Sequence, residues 1–147
     1  NCMIVTLAGT NTKNKRISDF IKSSKFLTTK KEVHYIIIGK FTKDKGLEKY
    51  KDESPLKNNI HILGLRPDAI SLIKGSDIYV QTSLSEGFGR AISEAMCVGK
   101  PIIMTNAGGC TELIDDTCGI ITPIKKPIYT IFCAIFYESC ADFCRFF

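Results

Sequence analysis

Two glutamates, a pair of glycines and a cluster of cations carry the most specific chemistry in this chain. Residues 82–96 read Thr82-Ser83-Leu84-Ser85-Glu86-Gly87-Phe88-Gly89-Arg90-Ala91-Ile92-Ser93-Glu94-Ala95-Met96. Gly87 and Gly89 bracket Phe88 just ahead of a helical apolar pattern, which lets backbone amides approach a ligand closely. The start of a helix favours an anionic or hydroxyl-rich group. Eight residues separate Glu86 from Glu94 and turn a helix by about 800°, close to two full turns, so both carboxylates are able to face one cleft. The same spacing also describes one glutamate near a helix start and a second, ordinary exposed one. Spacing alone does not separate the two.

A second cluster lies near the N-terminus, where residues 9–16 read Gly9-Thr10-Asn11-Thr12-Lys13-Asn14-Lys15-Arg16. The helix dipole disfavours cations at a helix start, so Lys13, Lys15 and Arg16 together point to an anion such as phosphate, against the plainer alternative of solvated side chains. Charge is uneven along the chain. Residues 1–57 hold 13 Lys+Arg against 6 Asp+Glu, and residues 58–147 hold 7 against 9. A basic half suits a nucleic acid, an anionic membrane or a phosphorylated small molecule. No zinc-finger spacing and no aromatic-rich strand of the RNA-binding type accompanies the lysines, so nucleic acid is disfavoured.

Other reactive side chains read as structural. The 7 cysteines, at positions 2, 97, 110, 118, 133, 140 and 144, form no C-x-x-C pair. With histidine only at His34 and His61, no zinc ligand set emerges, and no metal is expected. Free, mostly buried thiols in a reducing cytoplasm are the expectation. Cys97 and Cys110 have no histidine placed to activate them as nucleophiles. Asp115-Asp116 ahead of Gly119 reads as a turn rather than a metal pair.

These residues need a frame, and the apolar patterning supplies one. Strands are expected at 4–8, 33–38, 60–63, 77–80, 101–104 and 119–121, each a short apolar run with β-branched residues, most of them stopped by glycine or polar residues. Helical spacing covers 16–26 through Ile17, Phe20 and Ile21. It recurs after Pro67-Asp68 and again from Ala91 to Val98, which ends at Gly99. Lys40–Asn59 is polar and fits one short helix with Leu47 and Tyr50 inward. Strand alternating with helix implies an α/β, Rossmann-like parallel sheet of about six strands with helices on both faces. Ligands of such sheets bind at the carboxyl ends of the strands. The loops to watch are therefore 9–15, 39–45, 64–67, 82–89 and 105–111.

An ordered set of strings resembles the C-terminal, donor-binding domain of family-4-type retaining glycosyltransferases of GT-B fold. The set comprises Asn59-Ile60-His61-Ile62-Leu63-Gly64, Gly75 through Val80, Ser83 through Pro101 with its E-x7-E element, and Asn106-Ala107-Gly108-Gly109-Cys110-Thr111-Glu112-Leu113-Ile114. The resemblance runs from about Val5 to Pro123 and implies one half of a GT-B fold. It implies that Glu86 contacts the donor sugar near the reacting carbon and that Glu94 hydrogen-bonds the nucleotide ribose. Amides of Gly87, Phe88 and Gly89 would approach sugar and phosphate, with Arg90 at the helix start. Main-chain groups of Leu65 and Arg66 would hold the base. Gly9, Thr10 and Lys15 match the diphosphate loop, but Thr10 stands where the family usually has an arginine. Gly108-Gly109 would serve close approach to the ligand, while Glu112 caps a short helix.

The resemblance further implies a nucleotide-sugar substrate, UDP-sugar ahead of GDP-sugar, with no cofactor. The acceptor would be a glycan or a lipid-linked sugar, held mainly by an N-terminal GT-B domain that this chain lacks. The chain reads as a piece of a longer cytoplasmic protein, with its lysines the only signal for contact at the inner face of a membrane. Alone it is expected to be inactive, because nothing positions the acceptor. A nucleotide-sugar-binding module without activity is the alternative, and a GT-B epimerase is disfavoured by the E-x7-E string. Residues 1–124 form the expected domain. The tail, 125–147, holds 7 of the 14 aromatic residues in its last 21 positions and fits a final packed helix, a membrane-surface segment or out-of-frame sequence.

Overall fold

The computed structural model describes residues 2–10, 12–27, 31–40, 45–115 and 117–124; the aromatic tail lies outside them. Six strands, β1 (Cys2–Ala8), β2 (Glu32–Ile38), β3 (Ile60–Gly64), β4 (Ile78–Gln81), β5 (Ile102–Thr105) and β6 (Gly119–Thr122), form one sheet in the order β3-β2-β1-β4-β5-β6. Every pairing is parallel. All six expected strands are present, and the doubly wound α/β architecture is the expected one.

The strands are apolar almost throughout because both faces are covered. On one face Val5, Leu7, Tyr35, Ile37 and Val80 pack under Ile17, Phe20 and Ile21 of α2 (Ile17–Ser23) and Leu47 of α3 (Lys45–Asp52). On the other, Ile38, Tyr79, Ile102 and Met104 meet Ile73 of α4 (Ala69–Lys74) and Ile92 and Ala95 of α5 (Arg90–Cys97). Fully burying each large side chain contributes about 1.5–3 kcal/mol, so the two layers hold the sheet as a rigid plate. Tyr35 sits between layers with its hydroxyl 3.2 Å from Ser23 Oγ, and burial pushes its pKa up to about 12.

Local departures from the expected pattern have local causes. The helix expected over 16–26 is present as α2, which ends in a 3-10 turn, Ser24–Phe26; an unexpected single turn, α1 (Thr12–Lys15), precedes it and stops at Arg16, which is left-handed at φ 46°. Asp68 precedes α4 without capping it through its side chain, because its carboxylate takes both prongs of the Arg66 guanidinium at 2.8 Å. Gly99 does close α5 as expected, with Gly99 N–H on Met96 and Lys100 N–H on Ala95, the paired bonds of a Schellman stop. Cysteine exposure differs from expectation. Cys2 and Cys97 are exposed, and of the four described cysteines only Cys110 is buried. Asp115 makes the expected turn, accepting the Thr117 N–H at 2.9 Å.

The two histidines pair across strands, as structural residues do. His34 Nδ1 and His61 Nε2 lie 3.0 Å apart while the ring centres are 5.3 Å apart, so the near-parallel rings meet edge to edge. Glu32 holds the other face of His34 at 3.2 Å from Nε2. Burial lowers the pKa of His61 from 6.5, aided by His34 and Lys51. The folded chain therefore prefers neutral His61, while the unfolded chain takes up a proton as pH falls. Stability present above the unfolded value declines once pH drops through 6.5 toward the lowered folded value. Thermal melts across that range will show a falling midpoint in wild type and a flatter profile in His61→Asn.

Candidate functional site

The chain starts in the middle of the sheet, winds outward through β2 and β3, then crosses back to β4 and winds the other way. The loops after β1 and β4 consequently part to opposite faces and leave a crevice between them, the place where such sheets bind ligands. Both clusters singled out from sequence open into that crevice.

Lys15 Nζ forms an ion pair with Glu86 Oε1 across the crevice, with the lysine side chain 18% and the glutamate side chain 9% exposed. Two elements 71 residues apart in sequence are thereby joined. Gly9 makes room for the lysine: a Cβ there would stand 3.0 Å from Lys15 Cγ. The break at Arg16 aims the side chain. Ending α1 there leaves the carbonyls of Lys15 and Arg16 to accept from Thr82 Oγ1, at 2.6 and 3.2 Å. Leu84 N–H donates to the Asn14 carbonyl at 2.8 Å, and Asn14 Nδ2 donates to the Ser85 carbonyl at 2.8 Å. Four bonds thus clasp the first loop to the fourth.

Glu86 is held from behind by residues that the sequence reading did not place in the site. Ser83 Oγ donates to Glu86 Oε1, and Gln81 Nε2 donates to both Ser83 Oγ at 2.7 Å and Glu86 Oε1 at 3.0 Å. Tyr79 donates to Gln81 Oε1 at 2.6 Å. A signal for them existed. Tyr79 and Gln81 alternate along β4 and Ser83 keeps the same period just past its end, so three polar groups fall on one buried side at the carboxyl end of the strand. Burial raises the Tyr79 pKa strongly, and the charges of Glu86 and Glu94 raise it further. Only Glu94 lies on α5; Glu86 sits in the loop ahead of it, so the two-turn helical spacing expected between them does not describe this pair.

The main chain of the loop is fixed by β5. Glu86 N–H donates to the Ala107 carbonyl at 2.6 Å, and Glu86 forms a parallel bridge with Gly108. A Cβ at Gly108 would lie 3.0 Å from the Glu86 carbonyl and one at Gly109 3.1 Å from that of Gly87. The close approach served by this glycine pair is therefore to the chain's own loop. Gly89 turns the chain into α5 at φ 71°, and a Cβ there would press on Cys110 Cβ and Ile92 Cδ1, both at 3.0 Å. Phe88 is left 68% exposed beside the crevice, and Arg90 opens the helix, also exposed. Glu94 is half-buried one turn on.

The remaining expected residues divide. Thr10 is exposed at the rim of the first loop. Lys13 is exposed, and the Arg16 guanidinium pairs with buried Asp19, so neither joins Lys15 at Glu86. Arg66 is spent on Asp68, and Leu65 beside it is 70% exposed at the carboxyl end of β3. Burial and Glu86 raise the Cys110 pKa, which suits an inert thiol. Among the described residues no group of three or more metal-ligating side chains converges, and no helix is long and apolar enough to cross a membrane.

The clasp carries a testable cost. Thr82→Val leaves the Lys15 carbonyl without its donor and will cost about 1–3 kcal/mol in urea unfolding. Gly89→Ala adds a left-handed alanine to two tight contacts and will cost at least about 1 kcal/mol in the same measurement.

Comparison with known proteins places the fold in a family. The family model for glycosyl transferases group 1 matches residues 3–127. The N,N'-diacetylbacillosaminyl-diphospho-undecaprenol alpha-1,3-N-acetylgalactosaminyltransferase of Campylobacter jejuni is 28% identical over 111 residues, covering 70% of this chain and 26% of that protein. The UDP-Gal:alpha-D-GlcNAc-diphosphoundecaprenol alpha-1,3-galactosyltransferase of Escherichia coli is 29% identical over 118 residues, covering 78% of this chain and 30% of that protein. The chain thus spans less than a third of the length of either curated relative. Among solved structures, Anabaena HepE in complex with UDP-glucose superposes with a TM-score of 0.83 at 26% identity, covering 99% of this chain and 42% of HepE. The C-terminal domain of the group 1 glycosyl transferase LpcC from Francisella tularensis superposes with a TM-score of 0.82 at 25% identity, covering 97% of this chain and 78% of that domain. With residues 3–127 matched by the family model, more than half of its length, the chain belongs to the group 1 glycosyl transferases.

Proposed function

We propose that the chain is the donor-binding half of a retaining glycosyltransferase and binds a UDP-sugar in the crevice between β1 and β4. The observation that carries this reading is the Lys15–Glu86 pair: a cation for phosphate and a carboxylate for sugar hydroxyls meet where the two windings part. In this structure each satisfies the other. On binding, the diphosphate takes Lys15, helped by the positive end of the α5 dipole, and Glu86 is left to the sugar. Glu94 holds the ribose, and main-chain groups at Leu65 and Arg66 hold the base. The work asked of the site is stabilisation of charge on the departing diphosphate, which fixed cations and amides do well in a shielded crevice. In this reading no metal is needed, Lys15 supplying the positive charge.

UDP is favoured over GDP because the neighbour HepE is in complex with UDP-glucose. The two relatives named for transfer to undecaprenol-linked sugars support a lipid-linked or polysaccharide acceptor, and hence work at the inner face of a membrane. A second Rossmann-like domain would bring the acceptor hydroxyl to the donor carbon, and without it catalysis is negligible. Thr10 favours a second reading, a nucleotide-sugar-binding module without activity, since the usual arginine of the diphosphate loop is replaced by a neutral residue.

Calorimetric titration of the chain with UDP, GDP and ADP tests the donor site. Saturable binding of UDP, weakened in Lys15→Ala and weakened by about 1.5–3 kcal/mol in Glu94→Ala, is the expected result. Failure of a folded chain to bind any of the three nucleotides would overturn the donor-site reading.

A further inference from the structure

From the buried chain of hydrogen bonds behind Glu86 we infer that Gln81, locked by Tyr79, is a positioning residue that holds the Glu86 carboxylate for the donor sugar. This rests on the reading of Glu86 as the sugar-contacting group. Tyr79 and Ser83 are fully buried and Gln81 is 2% exposed, so water does not replace any of their partners. The direction of the chain follows from its last member. A carboxylate only accepts, so the Gln81 amide presents its nitrogen to Glu86 and Ser83, at 3.0 and 2.7 Å, and its oxygen to Tyr79. Tyr79 then donates to that oxygen at 2.6 Å, with the Ala8 carbonyl a second acceptor at 3.3 Å. A reversed amide would set a carbonyl against a carboxylate. Every proton in the chain therefore points at Glu86, and each donor strengthens the next.

The placement of the bonds on the carboxylate makes the role specific. Lys15, Ser83 and Gln81 all reach Oε1, and among the described residues no hydrogen bond falls on Oε2. The carboxylate is thus gripped by Oε1, which leaves Oε2 to the sugar. When a diphosphate draws Lys15 away, two neutral donors remain, and Gln81 holds one directly and orients the other. Gln81 therefore keeps Glu86 in place in the loaded state, when it matters. Its contribution falls on recognition of the sugar and leaves the nucleotide moiety untouched.

The test is a double-mutant cycle on sugar discrimination. UDP and a panel of UDP-glucose, UDP-galactose and UDP-N-acetylglucosamine are titrated into wild type, Gln81→Met, Glu86→Ala and the double variant, with melts confirming the fold. Methionine keeps the volume of glutamine and removes its donors. In wild type one UDP-sugar will bind more tightly than UDP. Gln81→Met will cut that preference about tenfold, the equivalent of one charge-assisted hydrogen bond. The Kd for UDP itself will move less than twofold, and in the Glu86→Ala background Gln81→Met will have no further effect. Equal losses for UDP and UDP-sugar, an unchanged preference, or a full effect in the Glu86→Ala background would each overturn the positioning role. A wild type that binds UDP without preferring any sugar overturns the reading of Glu86 on which it rests, and is told apart by needing no variant. Tyr79→Phe, which frees the amide to reverse, will give a smaller loss of the same kind, and an unaltered preference there counts against the chain.

Discussion

A carboxylate cannot stay largely shielded from water unless donors replace the water it gives up. Glu86 meets that condition through Lys15, Ser83 and Gln81, and much of the surrounding structure follows from supplying those three donors. Lys15 requires a glycine beneath its stem and a helix that stops one residue later. Gln81 requires a tyrosine behind it, and Ser83 a strand that ends with its hydroxyl facing the crevice. Removing any one of these supports leaves a shielded charge with fewer partners, which is costlier than losing an exposed contact.

The sheet makes this concentration of polar groups affordable. Its two apolar layers carry the stability, so the loops at the carboxyl ends of the strands are free to hold strained or polar arrangements. The left-handed Arg16 is one such arrangement. It is tolerated because Thr82 accepts the duty of bonding the carbonyls that the break exposes, and because the Arg16 side chain finds Asp19. Burial raises the pKa of Asp19 even with that cation beside it, so the pair is not a gain in stability so much as the consequence of the turn. The turn in exchange directs Lys15 across the crevice.

The loop bearing Glu86 is held by geometry of a different kind. Its side chain is fixed from β4, but its main chain is fixed from the loop after β5, through the Ala107 carbonyl and the bridge to Gly108. The glycines at 108 and 109 are needed because carbonyl oxygens of Glu86 and Gly87 stand where side chains would go. Three successive strand ends, β1, β4 and β5, are therefore interlocked around one carboxylate. A ligand that displaces Lys15 opens only the first of these contacts and leaves the other two in place.

The sequence by itself determined the six strands of the sheet and four helical regions, because apolar periodicity is a local property and both faces of the plate demand it; the short α1 was not legible in that pattern. It also pointed to the loops at the strand carboxyl ends, where parallel sheets bind ligands, while Lys15, Glu86 and Glu94 were marked by the family resemblance, since spacing alone did not separate a site from ordinary glutamates. What only the tertiary structure decided is which polar groups meet. Lys13, Lys15 and Arg16 are alike in sequence, yet a single left-handed residue sends one to Glu86 and another to Asp19. Gln81 reads from sequence as the polar residue that ends a strand, and in the fold its amide donates to the carboxylate of Glu86. Hydrogen bonds between residues 71 positions apart depend on strand order and loop direction, and neither is written in any local window of the chain.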